Sequence, residues 1–308
     1  MKSHVFTAIA LLLLTSTQAH AFERTQTCYP GRALSELGCK EGQAPTFVYW
    51  HKSCVPWHID GTSIPERFHP VIQRGFETWN DVEGSALTLQ YAGVTDQSSI
   101  GYDCRDRGRR NVNLVRFNQD WQASSQIIAM TTTTYHTVTG QVYDADIEFN
   151  TRHYVFDDVE LPHVDPAMTM DLQHVLTHEV GHFVGLDHSI ESSYQGNRDY
   201  TQATMFASTF AGRTNQRYLD DDDIVGIETI YPVEGGDVAA CKSLEPSDHR
   251  SHPDFDGTYN SCTARELRGK GCRCSSADGE FSQEALWTSL LTGLFLLGGT
   301  LRARRSRA

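Results

Sequence analysis

The sequence predicts an α+β domain in which helices pack against a β-sheet. Residues 65–82 and 165–185 carry apolar side chains at helical spacing, which indicates two long helices. Short segments rich in β-branched and aromatic residues surround them, and such segments are typical of strands. The chain has 308 residues, 39% of them hydrophobic, so it is long enough to bury a sizeable core. Its net charge of -13 argues against nucleic-acid binding.

Most of the predicted strands lie in the first half of the chain. Alternating or β-branched side chains predict strands over 46–50, 86–93 and 111–117. Residues 127–150 predict two strands that meet around Gly140, because a run of four threonines favours extended backbone. Strands and helices follow one another without a shift in composition, so we expect one compact domain.

The second of the strands around Gly140 contains Asp144 and Asp146. Its imperfect alternation indicates a β-bulge near these two residues. Solvated carboxylates on a strand edge are the favoured interpretation of the pair. A bound calcium ion is the alternative, although the oxygen ligands do not form a dedicated loop.

The end of the domain is predicted to be helical. The helix over 165–185 should end at Gly185, because glycine readily takes the left-handed conformation that ends a helix. Residues 218–232 predict a final helix, whose N-terminal aspartates suit the positive end of the helix dipole. Residues 233–271 are rich in Gly, Asp and Ser and predict a linker.

The stretch HEVGHFVGLDH, from His178 to His188, has the spacing of a metal site. Residues four apart share a helix face, so His178 and His182 direct two imidazoles at one point. A helix end at Gly185 lets the chain return and bring His188 to that point. Three neutral imidazoles and one water form the open zinc site that catalysis needs, with Glu179 beside it as general base. Chance matches are expected on the order of 10⁻⁴ times in such a chain, so a merely histidine-rich helix is the weaker interpretation.

This stretch resembles the HExxHxxGxxH signature of the metzincin metallopeptidases. Members of that clan also have a methionine turn beneath the metal. Met205 resembles this methionine, because it is the first one after the motif. Ser189 follows the third histidine, as in the matrixins, the matrix-metalloprotease family. The sequence LDDDDI, from Leu219 to Ile224, resembles the L-x-x-D-D-I of the same family. Astacin- and serralysin-like enzymes place a tyrosine where this chain has Ala207.

The resemblance implies a metzincin-type catalytic domain over residues 22–232. Such a domain has a mostly parallel, twisted sheet with an antiparallel edge strand, packed on two long helices and followed by a C-terminal helix. The resemblance also implies one catalytic zinc ion above Met205, whose bound water is activated by Glu179 to hydrolyse a peptide bond. An extended substrate would pair with the edge strand over 129–135. The implied zinc ligands are His178, His182 and His188.

Both ends of the chain predict targeting. Residues 1–21 have an early lysine, an apolar run and small residues at Ala19 and Ala21, which is typical of a signal peptide cleaved before Phe22. Residues 285–301 are uncharged and four arginines follow them, which predicts a transmembrane segment with its positive end in the cytoplasm.

The segment 272–308 is interpreted as a C-terminal sorting and membrane-anchor segment. The sequence GCRCSS, a short spacer, the apolar span and the arginines resemble the tripartite sorting signals of myxobacterial surface proteins, the MYXO-CTERM type. A plain tail anchor is the alternative. Under the first interpretation, Cys272 or Cys274 is the processed residue.

Eight cysteines in an exported chain predict disulfides. Metal binding by these cysteines is the weaker interpretation, because their spacing lacks two CxxC pairs. We expect Cys241 to pair with Cys262, and the first four cysteines to pair among themselves. Those four are Cys28, Cys39, Cys54 and Cys104.

The sequence as a whole predicts an exported zinc metalloendopeptidase that acts on extracellular or surface proteins. We expect a monomer that binds protein or peptide substrates and contacts the membrane through its C-terminal segment. Its expected location is the cell surface or envelope of a Gram-negative, myxobacterium-like bacterium. One alternative is a non-catalytic adhesion or binding protein on a metzincin fold, although Glu179 and all three histidines are present. A metzincin of another family is the second alternative.

Overall fold

A seven-stranded sheet carries two helices that pack against it and against each other. The computed structural model describes residues 22–32, 38–102, 111–189 and 202–233, together with the backbone of 267–276. The predicted signal peptide and the predicted span over 285–301 lie outside these residues. Within the described part of the chain, every helix is too short or too polar to cross a membrane.

The elements are few and mostly short. The described residues contain three α-helices, which are α1 (His69–Asn80), α2 (Leu172–Val184) and α3 (Asp221–Ile230). The strands are, in chain order, β1 (Glu23–Arg24), β2 (Cys54–Asp60), β3 (Thr88–Thr95), β4 (Leu114–Asn118), β5 (Ile127–His136), β6 (Val142–Asn150), β7 (Val155–Asp157), β8 (Thr169–Asp171), β9 (Leu186–Asp187), β10 (Ser208–Thr209) and β11 (Leu267–Ser276).

The sheet has the strand order β10-β11-β5-β6-β4-β2-β3. Four of its six neighbouring pairs are parallel, and β5 runs antiparallel to both of its neighbours, β6 and β11. This arrangement confirms the predicted α+β class with a mostly parallel sheet. The prediction that residues 129–135 form the outermost strand was wrong, because β11 pairs with the outer side of β5. β11 also crosses the predicted boundary between linker and sorting segment at Cys272.

Aromatic side chains join the helices to the sheet. Trp57 of β2 stacks on Phe76 of α1 with ring centroids 3.8 Å apart, and Phe76 meets Phe183 of α2 edge-on. The buried indole of Trp79 donates a hydrogen bond of 2.9 Å to the carbonyl of Thr177 on α2. The apolar spacing that predicted a helix over 65–82 therefore marks the face of α1 that is buried, and the helix itself begins at His69.

The helix α2 begins at Leu172, seven residues after the predicted start. Asp171 caps it, because its side chain accepts the backbone N–H of His174 at 2.9 Å. Asp171 is also the last residue of β8, which pairs with β7 in parallel. All thirteen residues of α2 are buried, so the helix crosses the interior of the domain.

The prediction of a strand over 46–50 was wrong. Phe47 and Tyr49 form only isolated bridges, and the nearby strand of the sheet is β2. The sequence concealed β2 because Val55, Pro56 and Trp57 are buried in succession, which removes the alternation. Proline also argues against a strand in a sheet interior.

The position of Asp144 and Asp146 corrects the favoured interpretation of this pair. Both side chains are buried, with 2% and 1% exposure, on a strand that lies between β5 and β4. Asp146 accepts the backbone N–H groups of Gly101 and Leu114 at 2.6 and 2.9 Å. Burial raises the pKa of Asp144 to about 7, and burial together with Asp144 raises that of Asp146. The predicted bulge is confirmed by a register shift opposite residues 142–144.

We expect Asp144→Asn to stabilise the metal-free protein at pH 8 and to have less effect at pH 5. A carboxyl with a raised pKa holds its proton in the folded state, so its contribution to stability is lost as pH rises from about 4 to about 7. Urea unfolding at the two pH values measures the difference, with exposed Asp120→Asn as control. An equal effect at both pH values would contradict the shifted titration.

Calcium binding by this pair stays a prediction. If calcium binds here, adding it should stabilise the wild-type protein at pH 8. Asp144→Asn should remove that stabilisation, because calcium is bound by oxygen ligands and the substitution removes a carboxylate. No change in the unfolding midpoint on adding calcium would exclude it.

The disulfide Cys28–Cys39 confirms one pairing among the first four cysteines. Cys54 is also in a disulfide. Cys104, Cys241 and Cys262 lie outside the described residues, so their expected pairings stay predictions.

A buried arginine fixes the start of α2. Arg217 donates from Nε to Asp171 at 2.8 Å, and it also contacts Asp158 at 2.6 Å and Glu160 at 2.8 Å. The Asp171 side chain is fully buried, and its hydrogen bonds raise the pKa of Arg217. The guanidinium therefore neutralises the carboxylate that caps the helix.

Arg217→Met is expected to lower the free energy of unfolding by about 3 kcal/mol, because it leaves a buried carboxylate without its counter-charge. Arg74→Met is the matched control. Arg74 lies 3.9 Å from the same Asp158 but is 45% exposed, so its loss should cost under about 1 kcal/mol. Equal losses of unfolding free energy in the two variants, measured by chemical denaturation, would show that burial of the Arg217–Asp171 ion pair does not increase its contribution to stability.

Candidate metal centre

Three histidines meet at the C-terminal end of α2. His178 and His182 lie one turn apart on the helix, and His188 returns to them after the helix has ended. Their Nε2 atoms are separated by 3.1 Å for His178 and His182, 3.1 Å for His182 and His188, and 3.3 Å for His178 and His188. Within the described residues this is the one cluster of three or more His, Cys, Asp or Glu side chains that would hold a metal.

The hydrogen bonds of the rings direct their lone pairs to one point. Nδ1 of His178 donates to the carbonyl of Thr204 at 2.6 Å, and Nδ1 of His182 donates to the carbonyl of Leu186 at 3.0 Å. A carbonyl only accepts, so Nε2 of both rings is unprotonated when they are neutral. Burial and the two neighbouring rings lower the pKa of His178 well below its ordinary value.

A zinc ion fits this set of donors. Nitrogens about 2.0–2.1 Å from a tetrahedral centre are about 3.3 Å apart, close to the separations of the three Nε2 atoms. Three converging lone pairs repel one another without a cation between them, and neutral imidazole is the form that binds zinc. Carbonyl acceptors on the other ring nitrogens also match the outer contacts of metal-binding histidines.

A left-handed glycine brings the third histidine back. Gly185 has φ 106°, and a Cβ there would lie 2.5 Å from the carbonyl oxygen of Val48. The chain then forms β9, which pairs antiparallel with β1. Tyr29 donates a hydrogen bond to the side chain of Asp187, the residue before His188. The N-terminal segment thus supports the residue next to the third ligand.

Glu179 follows the ligand His178 on α2 and lies in the interior of the protein, with no exposed surface. The hydroxyl of Thr131 on β5 donates to its Oε2 at 2.6 Å and to its backbone carbonyl at 3.0 Å. The Thr131 side chain thus fixes the Glu179 carboxylate relative to β5. A carboxylate held next to a metal site is placed to accept a proton from water.

Met205 lies directly beneath α2. A Cβ on Gly181 would lie 2.1 Å from the Met205 sulfur, so the glycine between the two histidine ligands permits the contact. Met205 is 1% exposed, and its carbonyl accepts the backbone N–H of Ser189 at 3.0 Å. The structure therefore brings the three predicted ligands together and places Met205 against the helix that carries two of them.

The turn at Met205 is held by a residue whose role the sequence did not reveal. Asp223 accepts the backbone N–H groups of Thr204 and Met205 at 3.0 and 3.3 Å, and it completes a capping box with Asp220. Thr204 is the residue whose carbonyl orients His178. Asp223 lay within the LDDDDI motif, but spacing alone gave no reason to connect it with the metal site.

The chain is similar to known proteins over the residues that contain this site. A sequence model described as matrixin matches residues 49–232, which is more than half of the chain. Metalloendoproteinase 2-MMP of Arabidopsis thaliana is 24% identical over 169 residues, which cover 54% of this chain and 38% of that protein. The aligned part thus spans well under half of that relative.

Proposed function

Because this chain belongs to the matrixin family, we propose that it is a zinc-dependent endopeptidase. The observation that carries the proposal is the convergence of three imidazole Nε2 atoms within 3.3 Å, two of them on the helix that also carries the buried Glu179. A bound zinc ion would supply the Lewis acid that lowers the pKa of water and polarises a carbonyl. The alternative of a non-catalytic binding protein has no specific observation in its favour.

The protein's own residues would do the proton transfer. Glu179 accepts the proton of the attacking water and passes it to the leaving amine. Thr131 keeps one carboxylate oxygen in place through its hydrogen bond. The carbonyls of Thr204 and Leu186 hold two of the imidazoles in the orientation that leaves Nε2 unprotonated.

We propose that an extended peptide substrate pairs with β5. Support comes from β11, an extended segment that lies antiparallel to β5, with Cys272 opposite Thr131. The outer side of β5 therefore accepts an extended chain through its backbone, as in binding by β-strand addition. A substrate that pairs there takes the place of β11.

We further propose that the enzyme is exported and loses residues 1–21. The backbone nitrogen of Phe22 lies 3.0 Å from Oδ1 of Asp222, a carboxylate that is 3% exposed. Cleavage before Phe22 would turn that nitrogen into an ammonium group and make the contact charge-assisted. Anchoring through residues 272–308 and a monomeric state are part of the same proposal.

The proposal is tested on the chain expressed with its own N-terminus and purified in detergent. N-terminal sequencing should begin at Phe22. The protein should cleave a peptide library, lose cleavage on dialysis against a zinc chelator and regain it when zinc is added. Stoichiometric zinc without cleavage of any library would favour the non-catalytic alternative, and cleavage that is insensitive to the chelator would exclude a metallopeptidase.

A further inference from the structure

A second polar cluster lies behind the metal centre and contains no proposed ligand. His174 is on α2, one turn before His178, and is 1% exposed. Gln216 lies in the short 3-10 turn before α3 and is also 1% exposed. Neither residue belongs to the histidine motif. Buried polar side chains of this kind are retained only when they are hydrogen-bonded.

Each nitrogen of the His174 ring has a defined partner. The backbone N–H of Gln216 points to Nδ1 at 3.1 Å, and a backbone N–H only donates. Nδ1 is therefore the acceptor, and Nε2 carries the proton and donates to the hydroxyl of Thr209 at 2.6 Å. Thr209 lies on β10, four residues after Met205. His174 thus ties α2 to two segments that follow the turn at Met205 in the chain.

The side chain of Gln216 bonds both ends of the same turn. Its Nε2 donates to the carbonyls of Ala203 and Phe206 at 3.0 and 3.1 Å. These two carbonyls bracket Thr204 and Met205. Thr204 orients His178, and Met205 contacts α2 at Gly181. One amide group therefore fixes both ends of the turn that sets the direction of a ligand.

We propose that His174 and Gln216 are positioning residues for the metal centre. The pair holds the turn over 203–206 against α2, so that the carbonyl of Thr204 meets His178 at the distance that directs its Nε2 to the metal. This inference rests on the proposed function insofar as a metal ion binds the three histidines. Outer contacts that orient metal-binding histidines typically account for about 10–100-fold in metal affinity.

The test compares zinc affinity with stability in a set of matched variants of the full chain. His174→Leu removes both hydrogen bonds, His174→Asn keeps an acceptor near the position of Nδ1, and His174→Gln keeps a donor near that of Nε2. Gln216→Met removes the amide group that bonds the carbonyls of Ala203 and Phe206. Gln173→Met is the control, because Gln173 is on the same helix and bonds Arg74 of α1 at 3.3 Å, away from the turn.

Zinc affinity is measured by competition with a chromophoric chelator, without any substrate. His174→Leu and Gln216→Met should each weaken zinc binding by about 10–100-fold, whereas Gln173→Met should leave it unchanged even if it lowers the melting temperature. The double variant should lose less than the sum of the two effects, because both residues act on one turn. The absorption spectrum of the cobalt-substituted protein should also change in the two positioning variants.

Equal zinc affinity in the positioning variants and the control would overturn the inference and leave the pair with a purely structural role. If His174→Leu does not fold, Gln216→Met decides the question, and wild-type zinc affinity in that variant would also overturn the inference. The affinity readout is independent of peptide hydrolysis. A wild-type protein that binds zinc and cleaves nothing would refute the proposed function without affecting this comparison.

Discussion

Glu179→Ala should bind zinc like the wild type and lose peptide hydrolysis, with kcat lower by about 10²–10⁴-fold. Glu179 follows His178 on α2, and the three imidazoles form their cluster without it. Its removal takes away the group that accepts the proton of water but leaves the ligand nitrogens in place. Stopped assays on a fluorogenic peptide, together with zinc analysis of the same samples, measure both properties.

Two further variants make this result specific. Glu148→Ala removes another mostly buried glutamate, on β6, that bonds Asn118 at 2.9 Å and should leave kcat unchanged. Thr131→Val removes the hydroxyl that holds Glu179 and should reduce kcat by less than Glu179→Ala does. Retained cleavage by Glu179→Ala would refute its role as general base, and loss of zinc from that variant would mean that the side chain is a ligand.

The second large effect is expected for His188→Ala. This change leaves two imidazoles at the site. Loss of a residue that only orients a ligand costs up to about 100-fold in zinc affinity, and loss of the ligand itself should cost more. The folded domain should persist, because His188 is partly exposed and lies beyond the end of α2. Equilibrium dialysis against a zinc buffer measures the affinity.

His153→Ala is the control for that change, because His153 is exposed and lies outside the cluster. It should bind zinc with wild-type affinity. One tightly bound zinc per chain in His188→Ala would disprove the third-ligand assignment. Loss of zinc from both variants would place the metal elsewhere.

The sequence predicted those parts of the molecule that depend on local spacing. Helical periodicity located α1 and α2, although not the residue at which either begins, because residues three and four apart share a helix face whatever the rest of the chain does. The convergence of His178 and His182 followed from the same rule. Gly185 was recognised because few other residues adopt its backbone conformation.

The parts that were missed depend on contacts between distant residues. Thr131 and Glu179 are 48 residues apart, and the pairing of β11 with β5 joins the two halves of the chain. His174 and Gln216 have partners that no periodicity identifies. The strand β2 was missed for another reason. It is buried on both faces and contains Pro56, so its sequence lacks the alternation of apolar and polar residues that indicates a strand.

The position of β11 also affects the solubility of the protein. With β11 in place, the outer backbone groups of the ten-residue strand β5 are paired, and the outermost strand on that side of the sheet is the two-residue β10. A chain that ends before Leu267 would expose a long threonine-rich strand, which is a template for pairing with another molecule. Such a shortened protein should self-associate as its concentration rises, whereas the intact chain keeps this surface covered.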